Sequence, residues 1–212
     1  MKRVALIVLL SIPAAMAVDK DKGHFVPGAA SSYPGHQTHE GITIAAVPYI
    51  TAEQAASAFG KVNPYERGIL PVLVIVENGS GKALRLDLTV QFVDPANHHL
   101  DAIPPEDVLT YQAIKKPPKI GPSNPLPIPL PKSKKKGPLN TPEIVNRALS
   151  VKLVPPGEKV YGFFYFEANY APGSKLYLNG LSNATNGKEY FYFDVPLENG
   201  PSVTSTPDRE RR

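Results

Sequence analysis

The stretch from 84 to 92 most constrains what this chain can become. Leu84, Leu86, Leu88, Val90 and Phe92 alternate with Arg85, Asp87, Thr89 and Gln91, and a period of two sends one set to each face of a β-strand. Such a strand has one apolar face, so it needs neighbours in a sheet and a second layer to cover it. The rest of the chain supplies candidates. Residues 69–77 are continuously apolar and β-branched up to Glu77, the pattern of a strand covered on both faces, with Pro71 confining it to the strand start or an edge. Between the two runs, Asn78, Gly79, Ser80 and Gly81 have hairpin-turn chemistry. Five more strands are expected at 42–49, 148–154, 159–167, 175–181 and 189–195, punctuated by Pro155-Pro156-Gly157 and Ala171-Pro172-Gly173. Together they predict an all-β chain folded as a β-sandwich of about seven strands.

Short helices complete the pattern. Thr51 is an N-cap with Gln54 as its capping-box partner, an Ala-rich run reaches Phe59, and Gly60 suits the end. A second helix is expected after Pro104-Pro105, and a third where Thr141 precedes Pro142 at the first helical position. The last two lie within an insertion at 95–148. Residues 115–142 hold nine prolines, which forbid helix and central strand and favour an extended polyproline path.

That insertion also carries the charge. Residues 115–142 contain Lys115, Lys116, Lys119, Lys132, Lys134, Lys135 and Lys136 and no acidic residue. The chain begins with Lys2 and Arg3, an apolar run and the small-x-small site Ala15-Met16-Ala17, which predict a signal peptide over 1–17 and a secreted or periplasmic location. Cleavage would take the formal charge from +4 to +2, leaving −5 outside the lysine segment. A generally basic, nucleic-acid-binding surface is therefore not indicated. No other run approaches the ~20 apolar residues of a membrane span, so none is expected after cleavage. Residues 18–40 lack hydrophobic period and are expected as a flexible lead-in. The sandwich domain is then 41–199, with a disordered tail at 200–212.

Absent residues exclude several chemistries. With no Cys there is no disulfide framework, thiolate metal site or Cys nucleophile, and the mature chain also loses both methionines, Met1 and Met16. Gly79-Ser80-Gly81 lacks the spacing of a nucleophile elbow, and Glu106-Asp107 reads as a helix start. No catalytic constellation is visible, and no cofactor is implied.

The stretch Leu153-Val154-Pro155-Pro156-Gly157-Glu158-Lys159-Val160-Tyr161-Gly162-Phe163-Phe164-Tyr165-Phe166-Glu167, followed by Leu176-Tyr177-Leu178, resembles a strand pair of the telokin-like, immunoglobulin-like domains of secreted bacterial proteins. Phe59 to Val74 is similar to a stretch found in a set of uncharacterised secreted bacterial proteins. The resemblance implies an immunoglobulin-like fold and an exported location, and supplies no catalytic residues.

Three sets of residues are candidates for function. The seven lysines could bind an anionic envelope polymer or contact an anionic membrane surface peripherally. Strand alternation predicts an aromatic face of Tyr161, Phe163, Tyr165, Tyr177, Tyr190 and Tyr192 if Val160, Gly162, Phe164, Phe166, Phe191, Phe193 and Val195 point inward; the inverse pairing would make these rings ordinary core, since both faces are apolar enough to be buried. Such a face needs a cover: the Pro-rich ribbon 125–131, a glycan or a partner protein. His36, His39 and Glu40 could present two imidazoles and a carboxylate to a divalent metal. Asn78-Gly79-Ser80 and Asn183-Ala184-Thr185 match glycosylation acceptors. The resulting expectation is an exported non-catalytic binding or scaffolding domain of the cell envelope, with a secreted metal-binding or hydrolytic protein using the His cluster as the alternative.

Overall fold

The computed structural model describes residues 25–111 and 137–198. The signal segment 1–17, the seven lysines, the ribbon 125–131 and the tail 200–212 lie outside the described residues. The strands are β1 (His36–His39), β2 (Ile42–Pro48), β3 (Leu70–Asn78), β4 (Leu84–Val93), β5 (His99–Asp101), β6 (Leu153–Val154), β7 (Lys159–Phe166), β8 (Lys175–Asn183) and β9 (Phe193–Pro196). The helices are α1 (Ala52–Phe59), α2 (Pro105–Thr110) and α3 (Pro142–Asn146). The chain is mostly β, in two antiparallel sheets: one ordered β1-β2-β3-β7, the other β5-β4-β8-β9 with β6 beside β5 on the same edge of β4.

Two cores result, on either side of the four-stranded sheet. Between the sheets, Ile42, Ile44, Val72, Val74, Val76 and Phe166 meet Leu86, Phe92, Leu176, Leu178, Phe193 and Val195. On the other side, Val47, Leu73, Ile75, Phe163 and Tyr165 are covered by Ala55, Ala58 and Phe59 of α1, Val108 of α2 and Ile144 of α3. The unbroken apolar run of β3 follows from this, because both of its faces are buried. Local signals form as expected. Thr51 and Gln54 make a reciprocal capping box on α1, and Pro142 opens α3 just after Thr141.

Several expectations need correction. His36–His39, expected in a flexible lead-in, form an edge strand. Glu40 and Gly41, at φ 47° and 79°, make a tight two-residue turn that returns the chain to β2. Asn78 to Gly81 close no hairpin: they carry the chain from β3 in one sheet to β4 in the other. Asn78 organises that crossing, its side-chain amide donating to the Lys82, Val154 and Pro155 carbonyls while its Oδ1 accepts from Ser80. The alternation in β4 holds, but its pairing with β8 shifts register at a bulge between Leu86 and Thr89, and Leu88 there is only half-buried against the core. Gly180 sits across from it at φ 85°, where an added Cβ would come 2.1 Å from the Asp87 carbonyl oxygen. Of the expected 148–154 strand only Leu153–Val154 form in that role. Ala148 instead bridges β7 at Phe163. The last strand begins at Phe193, and Phe191, expected inward, is 69% exposed.

Candidate functional site

The six rings of the expected aromatic face do not converge. Tyr161, Phe163 and Tyr165 share one face of β7, as alternation requires, but that face lies under the helices. Phe163 packs against Phe25, Tyr49 and Phe59 at 5.6, 4.9 and 4.8 Å between centroids. The Tyr165 hydroxyl donates to the Ile144 carbonyl at 2.7 Å, fastening α3 to the sheet. Burial pushes the Tyr49 and Tyr165 phenols well above the ordinary tyrosine range. The cover is therefore the chain's own helical layer with the segment at Phe25: Phe163 and Tyr165 are core, and Tyr161 packs half-buried against it, its hydroxyl donating to the Phe25 carbonyl. Tyr190 also packs, half-buried, against the core between the sheets.

Tyr177 and Tyr192 remain, and the outer face of the five-stranded sheet brings them together. Their rings stand 5.3 Å apart with 30° between planes, and Tyr192 is 55% exposed. Inward Leu176, Leu178, Phe193 and Val195 fill the core, so the pleat turns Tyr177 and Asp194 outward, and Tyr192, just before β9, lies beside Tyr177. Register then sets their neighbours. Asp101 of β5 pairs with Gln91 of β4, Gln91 with Tyr177 of β8, and Tyr177 with Asp194 of β9. Three strand spacings make this row about 14 Å long.

The row is held by its own hydrogen bonds. Gln91 Nε2 donates to Asp101 Oδ1 at 2.8 Å, and His99 Nδ1 donates to Gln91 Oε1 at 3.0 Å. His99 also lies edge-on to Tyr177, 6.3 Å between centroids. At the far end Lys175 Nζ donates to Asp194 Oδ2 at 2.6 Å, and the Asp194 backbone N–H donates to Gln37 Oε1 at 2.8 Å, tying β9 to β1. Each side chain is thereby oriented yet keeps hydrogen-bonding capacity: His99 Nε2, one Gln91 amide hydrogen and a carboxylate oxygen of each aspartate. Sequence reasoning found the tyrosines by alternation. It missed Gln91, His99, Asp101, Lys175 and Asp194 as a group, because only pairing between strands distant in sequence gathers them.

The histidine candidates are separated. A strand turns residues three apart to opposite faces, so His36 Nδ1 donates to the Tyr33 carbonyl at 2.6 Å while His39 lies against Phe191 and Phe193. Glu40 pairs with Lys188 at 3.3 Å. Among the described residues no three His, Asp or Glu side chains gather where a metal ion could be held. Both glycosylation acceptors are closed: Asn78 and Asn183 are buried, and their side chains serve their own turns.

Tyr111 and Gly137, the described residues that flank 112–136, lie close together on the helical side, away from the tyrosine row. A Cβ on Gly137 would meet the Leu109 carbonyl oxygen at 2.5 Å and that of Tyr111 at 3.3 Å. The Tyr111 hydroxyl donates to Glu167 Oε1 at 2.7 Å, a bond that raises the Tyr111 pKa. Close by, an open cavity of about 270 Å³ lies between α1 and Pro138, edged by Lys61, Asn63, Glu66 and Arg67. No described helix is long and apolar enough to cross a membrane. Comparison with protein-family models, curated proteins and solved structures finds no match to this chain, so its chemistry is read from the residues themselves.

Proposed function

We propose that this chain is an exported, non-catalytic binding and scaffolding domain of the cell envelope. It is built on an immunoglobulin-like sandwich with a Pro/Lys-rich insertion, and its ligand face is the outer face of the five-stranded sheet. The observation that carries the reading is the solvent-facing Tyr177–Tyr192 pair set among oriented polar side chains. A sheet face covered by nothing usually exposes scattered charges. Aromatic rings with their flanking groups already positioned lower the ordering cost of binding instead. The signal-like N-terminus supports export. The lysines supply a second, electrostatic contact for an anionic polymer, and the described residues on either side of their segment, Tyr111 and Gly137, lie on the helical side of the domain.

Co-sedimentation of the mature chain with an insoluble envelope fraction tests this. Binding should weaken about tenfold or more when Tyr177 and Tyr192 are both replaced by Ala. Equal sedimentation of the variant, or none by the wild type, would remove the sheet face from the account.

A further inference from the structure

We infer that the occupant of the Tyr177–Tyr192 face is an uncharged glycan chain of gluco-configured sugars. The inference rests on the reading of this face as the binding face and adds the chemical class of the ligand. The two rings pack against each other, 5.3 Å between centroids and 30° between planes, and Tyr192, 55% exposed, offers aromatic surface to solvent. A pyranose whose hydroxyls are all equatorial presents flat C–H faces that stack on such rings, and an axial hydroxyl would lift the sugar away. The edges of the same sugar carry vicinal hydroxyls, each both donor and acceptor. Those edges meet an amide, an imidazole and a carboxylate on one side (Gln91, His99, Asp101) and an ammonium and a carboxylate on the other (Lys175, Asp194). A row about 14 Å long, open at the sheet face, suits the interior of a chain better than a small molecule, which favours an enclosed pocket.

Charge decides against the competing partners. Lys175 is matched to Asp194 at 2.6 Å and Asp101 adds a second carboxylate, so the described groups beside the two rings carry no excess positive charge for an anionic polymer; Arg85, on the same face, stands toward the other end of β4. A protein partner would meet an interface centre stripped of charge. Here charged or polar groups border the rings, and the aliphatic side chain among them, Val93 between His99 and Lys175, is buried and offers no anchor.

Isothermal titration of the mature chain with cellohexaose and with chitohexaose tests the inference, with polygalacturonate as the anionic counterpart. The expected result is saturable binding of at least one hexasaccharide, insensitive to salt and weakened about tenfold or more by Tyr192→Ala. Gln91→Leu, which keeps the side-chain bulk and deletes the bridging amide, should weaken it several-fold while leaving the melting curve that of a folded domain. It therefore serves even where the tyrosine variant is unstable. Binding of neither hexasaccharide, binding of polygalacturonate alone, or full retention by both variants would overturn the inference. The envelope co-sedimentation run in parallel separates the two levels: if it still depends on both rings while neither hexasaccharide binds, the glycan assignment falls and the binding face stands.

Discussion

Asn78→Ala should be among the costliest polar substitutions in the domain. The Asn78 amide nitrogen lies 2.7 Å from the Lys82 carbonyl oxygen, 2.9 Å from that of Val154 and 3.0 Å from that of Pro155. Its Oδ1 accepts from the Ser80 amide and hydroxyl at 3.1 and 2.7 Å. Val154 is fully buried, so its carbonyl cannot recruit water once the donor is gone, which costs about 1–3 kcal/mol. Lys82 and Pro155 are exposed and their carbonyls rehydrate, so losing those bonds adds only about 1 kcal/mol. The total is about 2–4 kcal/mol, a large share of the ~5–15 kcal/mol that holds an ordinary domain together. Asn78→Asp should cost more at neutral pH, since a carboxylate would face the carbonyl oxygens that now receive N–H groups. Urea denaturation followed by far-ultraviolet circular dichroism measures both, with the slope unchanged and the midpoint lowered. A loss under ~0.5 kcal/mol for Asn78→Ala would mean that the crossing between sheets is held by something else, and the account of this turn would be wrong.

Leu86→Ala should cost about 2–5 kcal/mol and Leu88→Ala clearly less, because the bulge leaves Leu88 half-buried; equal losses by urea melt would place the bulge elsewhere. Tyr49 and Tyr165 have folded pKa values raised by burial, so their contribution to stability is complete below the ordinary tyrosine pKa of ~10 and is lost as pH rises beyond it. Spectrophotometric titration should show two phenols that ionise only as the protein unfolds, and ionisation of every tyrosine in the native state would contradict this. Replacing Lys132, Lys134, Lys135 and Lys136 by Gln should reduce binding to anionic vesicles at low salt and flatten its salt dependence, and unchanged vesicle flotation would refute the lysine contact.

What the sequence disclosed is what depends on near neighbours. The capping box of Thr51 and Gln54 and Pro142 at the start of α3 involve residues within one helical turn, and both form. The two-faced burial of β3 was equally readable, since its composition records it directly. The crossing at Asn78 was not, because turn chemistry there is compatible with a hairpin until Val154, 76 residues away, supplies the acceptor. Leu88 was misjudged for the same reason: the irregularity in β4 depends on Gly180 in the partner strand. Alternation grouped Tyr161, Phe163 and Tyr165 correctly. It could not foresee that three short helices, brought in from distant parts of the chain, would cover them. The proposed binding face was half legible, its tyrosines by period and its polar flank only by register.

Chemical-shift mapping tests the central claim most directly, using the isotope-labelled mature chain titrated with a solubilised envelope fraction. Amide shifts should concentrate on the outer face of the five-stranded sheet, at Gln91, His99, Asp101, Lys175, Tyr177, Tyr192 and Asp194, and should vanish in the Tyr177→Ala, Tyr192→Ala variant. Shifts confined to the lysine segment, or centred on the cavity beside α1, with this sheet face silent, would contradict it.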